Sequence, residues 1–330
     1  MGRYVKWYDI RGQRTRWKPF NIIISSRGIG KTYSTISYMA EEAAGEFIYL
    51  RNTDVQIRAC CQDFGNPFKA YNRNTGKNFW IKGRKECGYI YEKTGDIDTL
   101  KGYAAALSTF ENLRGVDLSG VTDVIFDEFI EKQPLRFDQF NSFLNFYETV
   151  NRNRELTGGD PLRVFMLSNA QKLASPILTG FNIVPVIEQM IKTGQINFST
   201  PEIWLSLPRS EVSEEKKNSV LYRAAAGTRY YSEAIENRFA NDSFTGIAKK
   251  TLAEYKPFCS IDELYIYKHK ADGSIYICGT PANVQNHYDS RINALLLMRG
   301  LYPQLALAYA ENRLFFDSFT TRTIIIDLIG

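Results

Sequence analysis

Residues 20–38 read FNIIISSRGIGKTYSTISY, and the order of physical properties along this stretch decides the fold. The run at 20–24 is apolar and rich in β-branched residues, which suits a buried strand, and residues 31–44 read as a helix ended by Gly45. Between them Ser25, Ser26, Arg27, Gly28, Ile29, Gly30, Lys31 and Thr32 match the phosphate-loop pattern G-x-x-x-x-G-K-[ST] everywhere except the first position, where Ser25 stands for glycine. Gly28 and Gly30 can take backbone angles closed to other residues, so that loop amides curl around phosphates. Lys31 is then expected to reach the β and γ phosphates of ATP, and Thr32 to hold Mg²⁺ through its hydroxyl. A serine fits the first position provided its backbone stays at negative φ. Arg27 is either a phosphate contact or a solvated loop residue.

Further apolar runs follow the same logic. Residues 46–51, 100–107, 121–126 and 162–168 read as strands, and residues 58–93 as basic, mixed helices with a small hairpin near 82–91. Residues 137–151 read as a helix with Phe137, Phe140, Phe143, Leu144 and Tyr147 on its apolar face. Strands with near-continuous apolar runs, separated by helices, predict an α/β fold with a mainly parallel, helix-covered sheet. Ligands of such sheets sit at the C-terminal ends of the strands. The strand at 121–126 ends there in Asp127 and Glu128, one expected in the Mg²⁺ shell and the other to polarise the attacking water. The strand at 162–168 ends in Ser168 and Asn169, which either feel the γ-phosphate or cap the next helix. Arg152 and Arg154 follow the helix at 137–151. One of them is an arginine finger supplied to a neighbouring subunit, or both are surface salt-bridge residues.

Composition sets the frame. At 330 residues and 37.8 kDa the chain is long enough for one good core plus a second module. The formal net charge of +5 is a mild hint of a polyanionic partner. Its distribution says more, because Arg3, Lys6, Arg11, Arg14, Arg16 and Lys18 precede the loop against the single acid Asp9. These form a solvated arm or a phosphate-backbone contact. Cys60, Cys61, Cys87, Cys259 and Cys278 make no C-x-x-C pair, and with only His269 and His287 to add imidazoles a structural zinc is not expected. Free thiols in a reducing cytosol fit best. No secretory h-region and no membrane-spanning run are seen. Beyond Pro208 the chain turns polar, and residues around 264–270 and 274–279 flank Ala271, Asp272 and Gly273 as a hairpin. A helix near 303–312 and a final strand at 321–328 complete a small α+β unit.

The blocks SRGIGKTYS, VIFDEFI, VNRNRE and LSNA, in this order, resemble the DNA-packaging ATPases of small tailed phages with protein-linked genomes, whose motor uses a packaging RNA at the portal. The resemblance implies a P-loop additional-strand catalytic-glutamate ATPase domain over residues 1–205, a linker module over 206–240 and a small ribonuclease-H-like, vestigial nuclease-like nucleic-acid-binding domain over 241–330. It also implies a homo-oligomeric ring, usually a pentamer, at the portal of a prohead in the host cytoplasm. That ring drives double-stranded DNA inward with ATP and Mg²⁺, and is absent from the mature virion. Carried over by position, Lys31 and Thr32 are the phosphate-loop pair, Asp127 and Glu128 the metal aspartate and catalytic glutamate, and Asn169 the coupling residue. Arg152 matches the trans-acting finger in preference to Arg154, and Arg114 a basic residue acting across the subunit interface.

In the C-terminal part Asp262, Glu263, Asp289, Glu311 and Asp317 do not pair at adjacent mid-strand positions, so nuclease activity is not expected. Lys249, Lys250, Lys256, Lys268 and Lys270 are expected to meet DNA phosphates, packaging RNA or the prohead. Three competing readings share these motifs. One is a helicase that stacks single strands on Tyr230 and Tyr231, one a terminase with a live nuclease, and one a ring protein that uses ATP only to assemble.

Overall fold

The computed structural model describes residues 7–83, 87–113, 116–131, 135, 137–169, 173, 175–226, 228 and 246–329. The chain forms two compact units, Met1–Gly180 with Gln189–Ala240, and Phe181–Glu188 with Asn241–Gly330.

The first unit is built on a nine-stranded sheet. Its strands are β1 (Phe20–Ser25), β2 (Glu46–Arg51), β3 (Phe79–Gly83), β4 (Gly88–Thr94), β5 (Ile97–Ala106), β6 (Val121–Asp127), β7 (Arg163–Asn169), β8 (Asn197–Ser199) and β9 (Ile203–Ser206), in the order β3-β4-β5-β2-β6-β7-β1-β9-β8. Strands β5, β2, β6, β7, β1 and β9 run parallel, whereas β3, β4 and β8 pair antiparallel at the edges. The sheet is therefore mixed, with the expected parallel arrangement at its centre. The reason is connection length: β4 to β5 and β8 to β9 are joined by tight turns, and a parallel crossover needs a dozen residues or more. Central strands read as apolar runs because both of their faces are covered; Ile22, Ile23 and Ile24 are all fully buried.

Helix α1 (Lys31–Glu42) presents Ile36, Tyr38 and Met39 to the sheet residues Ile23, Phe47, Tyr49 and Phe165. Helix α2 (Gln139–Asn151) starts at Asp138, whose Oδ1 accepts the Asn141 N–H at 3.1 Å. It buries Phe143, Phe146 and Val150, while Leu144 is 39% exposed. The apolar face is thus rotated from the one the spacing predicts, because Phe146 packs against Phe110 and Phe143 against Phe126.

The second unit holds a five-stranded sheet of β10 (Tyr255–Ile261), β11 (Leu264–His269), β12 (Ile275–Cys278), β13 (His287–Tyr288) and β14 (Leu314–Phe316), ordered β13-β10-β11-β12-β14. Strands β10, β11 and β12 form an antiparallel meander that contains the expected hairpin, and β13 and β14 add in parallel at its two edges. The stretch expected as a final strand at 321–328 is instead a helix, Phe319–Ile329. Ser318 Oγ accepts the Thr321 N–H at 3.1 Å and so starts the helix. It buries Phe319, Thr321, Arg322, Thr323 and Ile325, and the Arg322 N–H donates to the Ser318 carbonyl four residues back at 3.1 Å, as in a helical turn. Packing against Leu305 and Phe316 overrides the β propensity of a Thr- and Ile-rich segment. Among the described residues no helix is long and apolar enough to cross a membrane, and no disulfide joins any of the five cysteines.

Candidate functional site

Strands β1, β6 and β7 are neighbours, and their C-terminal ends lie level: Ser25 pairs with Asn169, and Asp127 with Leu167. Residues far apart in sequence therefore meet at one edge of the sheet. They line a cavity of about 210 Å³ whose wall comprises Arg27, Gly28, Gly30, Lys31, Thr32, Tyr33, Asp127, Glu128, Ser168 and Asn169.

The loop has the geometry its glycines allow. Gly28 has φ +68° and Gly30 φ +103°, both in the left-handed region. Gly30 caps α1, so the positive end of the helix dipole and its unpaired amides face the cavity. Ser25 is not among the residues with positive φ, and its substitution for glycine has a use. Lys31 Nζ donates to Ser25 Oγ at 2.8 Å, to the Ser26 carbonyl at 3.1 Å and to Asn169 Oδ1 at 3.2 Å. Lys31 is only 7% exposed. Burial lowers its pKa to about 8, against the opposing pull of Asp127 and Glu128.

At the end of β6, Thr32 Oγ1 donates to Asp127 Oδ1 at 3.1 Å, and Tyr49 OH to Asp127 Oδ2 at 2.8 Å. Burial holds the Asp127 pKa above the usual carboxylate range, although Arg51 and the Tyr49 hydroxyl pull it down. Glu128 adopts φ +53°, an unfavourable backbone for a residue with a Cβ. The strain is held by Asn52, whose Nδ2 donates to the Glu128 carbonyl at 3.1 Å. The turn brings the Glu128 carboxylate, half exposed, to the cavity, where Arg51 Nη2 donates to it at 2.6 Å. Asn52 also donates to Glu131 at 2.9 Å and accepts from Gln139 at 2.6 Å, tying the turn to the start of α2.

Tyr49, Arg51 and Asn52 were not anticipated. A signal existed, because β2 is a parallel strand whose C-terminal end is polar, the location that marks ligand sites in such sheets.

The two arginines lie elsewhere. Arg152 Nη2 donates to the Val116 carbonyl at 2.8 Å, and its guanidinium lies 3.7 Å from Asp117 Oδ1. Arg154 donates to the carbonyls of Val121 at 2.8 Å, Val150 at 3.1 Å and Asn151 at 3.1 Å. Val121 opens β6 and Asp127 closes it, so Arg154, held on the Val121 carbonyl, sits roughly 20 Å from the acid pair at the rise of an extended strand. Neither arginine lines the cavity. Arg114, Tyr230 and Tyr231 fall outside the described residues. Of the N-terminal cations, Arg11 pairs with Glu41 at 2.6 Å and with Glu42, and Arg14 pairs with Glu42, so both are engaged with α1.

In the second unit Asp262 Oδ1 accepts the Ser290 N–H at 2.9 Å, Asp289 Oδ1 those of Arg291 and Ile292 at 2.8 and 2.9 Å, and Asp317 Oδ2 that of Gly279 at 3.1 Å. Glu311 pairs with Arg313. Among the described residues no group of three or more His, Cys, Asp or Glu side chains is placed to hold a metal ion. Lys256 lies directly across from Lys268 in the β10–β11 pair, and Lys268 stands over the Phe258 ring at 3.5 Å.

A family model described as Podovirus DNA encapsidation protein (Gp16) matches residues 7–281. The DNA packaging protein of Bacillus phage B103 is 28% identical over 239 residues, which is 70% of this chain and 67% of that protein. That of Bacillus phage PZA is 26% identical over 242 residues, again 70% of this chain but 65% of the relative's length. Among solved structures, the bacteriophage Phi-29 viral genome packaging motor assembly matches with a TM-score of 0.67 at 20% identity, over 98% of each chain. The Phi-28 gp11 DNA packaging motor matches with a TM-score of 0.61 at 16% identity, over 99% of this chain and 97% of that one. At these identities the likeness to the solved structures concerns the fold: a mixed-sheet ATPase-type domain and a smaller α+β domain.

Proposed function

This chain belongs to the Podovirus DNA encapsidation protein family, and on that premise we propose that it hydrolyses ATP to drive double-stranded DNA into a viral prohead, as one subunit of a five-membered ring at the portal. The observation that carries the reading is the convergence of Lys31, Thr32, Asp127, Glu128 and Asn169 on a single cavity. Thr32 and Asp127 offer a hydroxyl and a carboxylate oxygen 3.1 Å apart, a donor set that suits Mg²⁺ together with phosphate oxygens and water. The ion supplies charge neutralisation on the phosphates when ATP is bound.

The chain's own residues do the rest. Lys31 leaves Ser25, Ser26 and Asn169 for the phosphate oxygens, and Asn169, losing that partner, senses whether a nucleotide is present. Glu128 accepts the proton of the attacking water once Arg51 releases its carboxylate. Arg152 stabilises the charge at a neighbour's site, because it does not line its own cavity. Arg154, with its donors spent on three backbone carbonyls, braces the end of α2. Steady-state hydrolysis at rising protein concentration, with and without duplex DNA, tests the ring motor. Concentration-dependent turnover raised by duplex is expected, and turnover indifferent to both overturns it.

Lys31 makes ATP binding pH-dependent. Its pKa of about 8 in the free site means that it is neutral above that pH and must take up a proton to meet phosphate. Affinity is expected to be flat below about pH 8 and to weaken by up to tenfold per unit above it. Titration with a fluorescent ATP analogue checks this, and Lys31→Arg is expected to abolish the slope. The sign for stability is opposite. In the window between about 8 and the ordinary lysine value of 10.5 the unfolded chain holds the proton that the fold has lost, so the nucleotide-free protein gains stability as the pH rises through it.

We read the second unit as a ribonuclease-H-like domain without nuclease activity, a reading supported by the backbone N–H groups that Asp262, Asp289 and Asp317 accept. Lys249, Lys250, Lys256, Lys268 and Lys270 contact the phosphates of DNA or packaging RNA. Lys256 and Lys268 carry like charges on directly opposite positions, an arrangement that is unfavourable alone and relieved by a polyanion. Removing both with Lys256→Ala and Lys268→Ala is expected to lower the log–log salt slope of duplex or RNA binding by about 2. An unchanged slope excludes them from the contact.

A further inference from the structure

Helix α3 (Glu211–Lys216) lies within the segment expected as a linker, yet two of its side chains grip the glycine loop between β1 and α1. Ser213 Oγ hydrogen-bonds Ser26 Oγ, and Lys216 Nζ donates to the carbonyl oxygens of Arg27 at 2.7 Å and Gly28 at 3.0 Å. Positions 213 and 216 are three apart and share one helix face. Val212 and Ser213 are buried, so α3 is seated on the unit rather than projecting from it.

We propose that α3 is a clamp on the nucleotide loop and that Lys216 is a positioning residue, holding two loop carbonyls so that the next two amides face the triphosphate. The proposal rests on the ATP-binding reading above. A trans peptide is planar, with its C=O and N–H pointing opposite ways. Fixing the carbonyls of Arg27 and Gly28 toward Lys216 therefore turns the N–H groups of Gly28 and Ile29 away from it. Lys216 does not line the cavity; it works from the far side of the loop. The approach is close enough that a Cβ on Gly28 would lie 2.4 Å from Lys216 Nζ, so glycine at 28 serves the clamp as well as the φ of +68°. The charge of Lys216 is partly desolvated, and burial together with Arg27 lowers its pKa. Without the clamp the two peptides are free to turn, and a turned peptide offers phosphate an oxygen instead of an N–H.

The signature of such a residue is weaker ATP binding with the chemical step preserved. The experiment measures kcat, KM and equilibrium binding of a fluorescent ATP analogue for the full chain carrying Lys216→Ala, Lys216→Arg or Ser213→Ala, beside the parent. Lys216→Ala is expected to raise KM and Kd by about tenfold or more with kcat near the parent's. Lys216→Arg restores most of the loss, since a guanidinium has donors enough for two carbonyls. Ser213→Ala, which removes the other contact, raises KM a few-fold and serves if Lys216→Ala fails to fold. Unchanged KM and Kd, or a loss confined to kcat, overturns the clamp. Failure of the parent itself to bind the analogue overturns the ATPase reading instead, which keeps the two failures apart.

Discussion

Glu128→Gln is expected to bind ATP within a few-fold of the parent and to lose at least about a hundredfold in turnover, the usual worth of a general base. Glutamine keeps the shape of the side chain and cannot accept a proton. Binding is expected to survive because the groups proposed to hold the phosphates are others on the cavity wall, Lys31 in the loop and Thr32 with Asp127 beside it. The fold survives because Asn52 grips the main-chain carbonyl of residue 128, not its side chain. Arg51 loses one partner but remains 3.7 Å from Asp127. Phosphate release and equilibrium binding measured on the same preparation decide the matter. Turnover within tenfold of the parent would transfer water activation to another group.

A ring in which every subunit carries Arg152→Ala is expected to turn over about a thousandfold more slowly, the lower end of what an arginine finger contributes. Mixing this variant with Lys31→Ala is expected to recover a measurable fraction of the activity. A Lys31→Ala subunit has a dead loop but an intact finger, and an Arg152→Ala subunit has the reverse, so one of the two mixed interfaces is complete. Arg152 is half exposed, does not line the cavity, and rests on Val116 and Asp117. Its removal exposes those groups to water at little cost in stability. Arg154→Ala differs, because three carbonyls lose a donor in a partly buried place, and its loss would appear as a lower Tm that mixing does not repair. No recovery in the Arg152→Ala and Lys31→Ala mixture would remove the finger from Arg152.

The cavity residues were legible in sequence where each sits in a local pattern. Lys31 and Thr32 follow a strand and a glycine loop, while Asp127 and Asn169 end apolar strands that can only be buried. Arg51 escaped notice because its partner Glu128 is 77 positions away, and nothing local to β2 announces that contact. Lys216 escaped for a similar reason, being 188 positions from the Gly28 carbonyl that it holds. At the C-terminal helix the β propensity of Thr and Ile residues outweighs the start signal at Asp317 and Ser318 at short range, and at α2 aromatic spacing alone does not say which ring meets the core.

By itself the sequence determined the α/β class, the glycine loop between β1 and α1, the acid pair at the end of β6 and the hairpin of the second unit. Each is specified by side-chain chemistry within a few residues, by apolar runs, glycine freedom or turn composition. Tertiary structure alone decided which strands lie side by side, that Arg51 holds Glu128, that Arg152 does not line its own cavity, and that α3 grips the loop. Those facts depend on the order of strands in the sheet and on contacts between distant segments, which are settled by the packing of the whole core and leave no mark at short range.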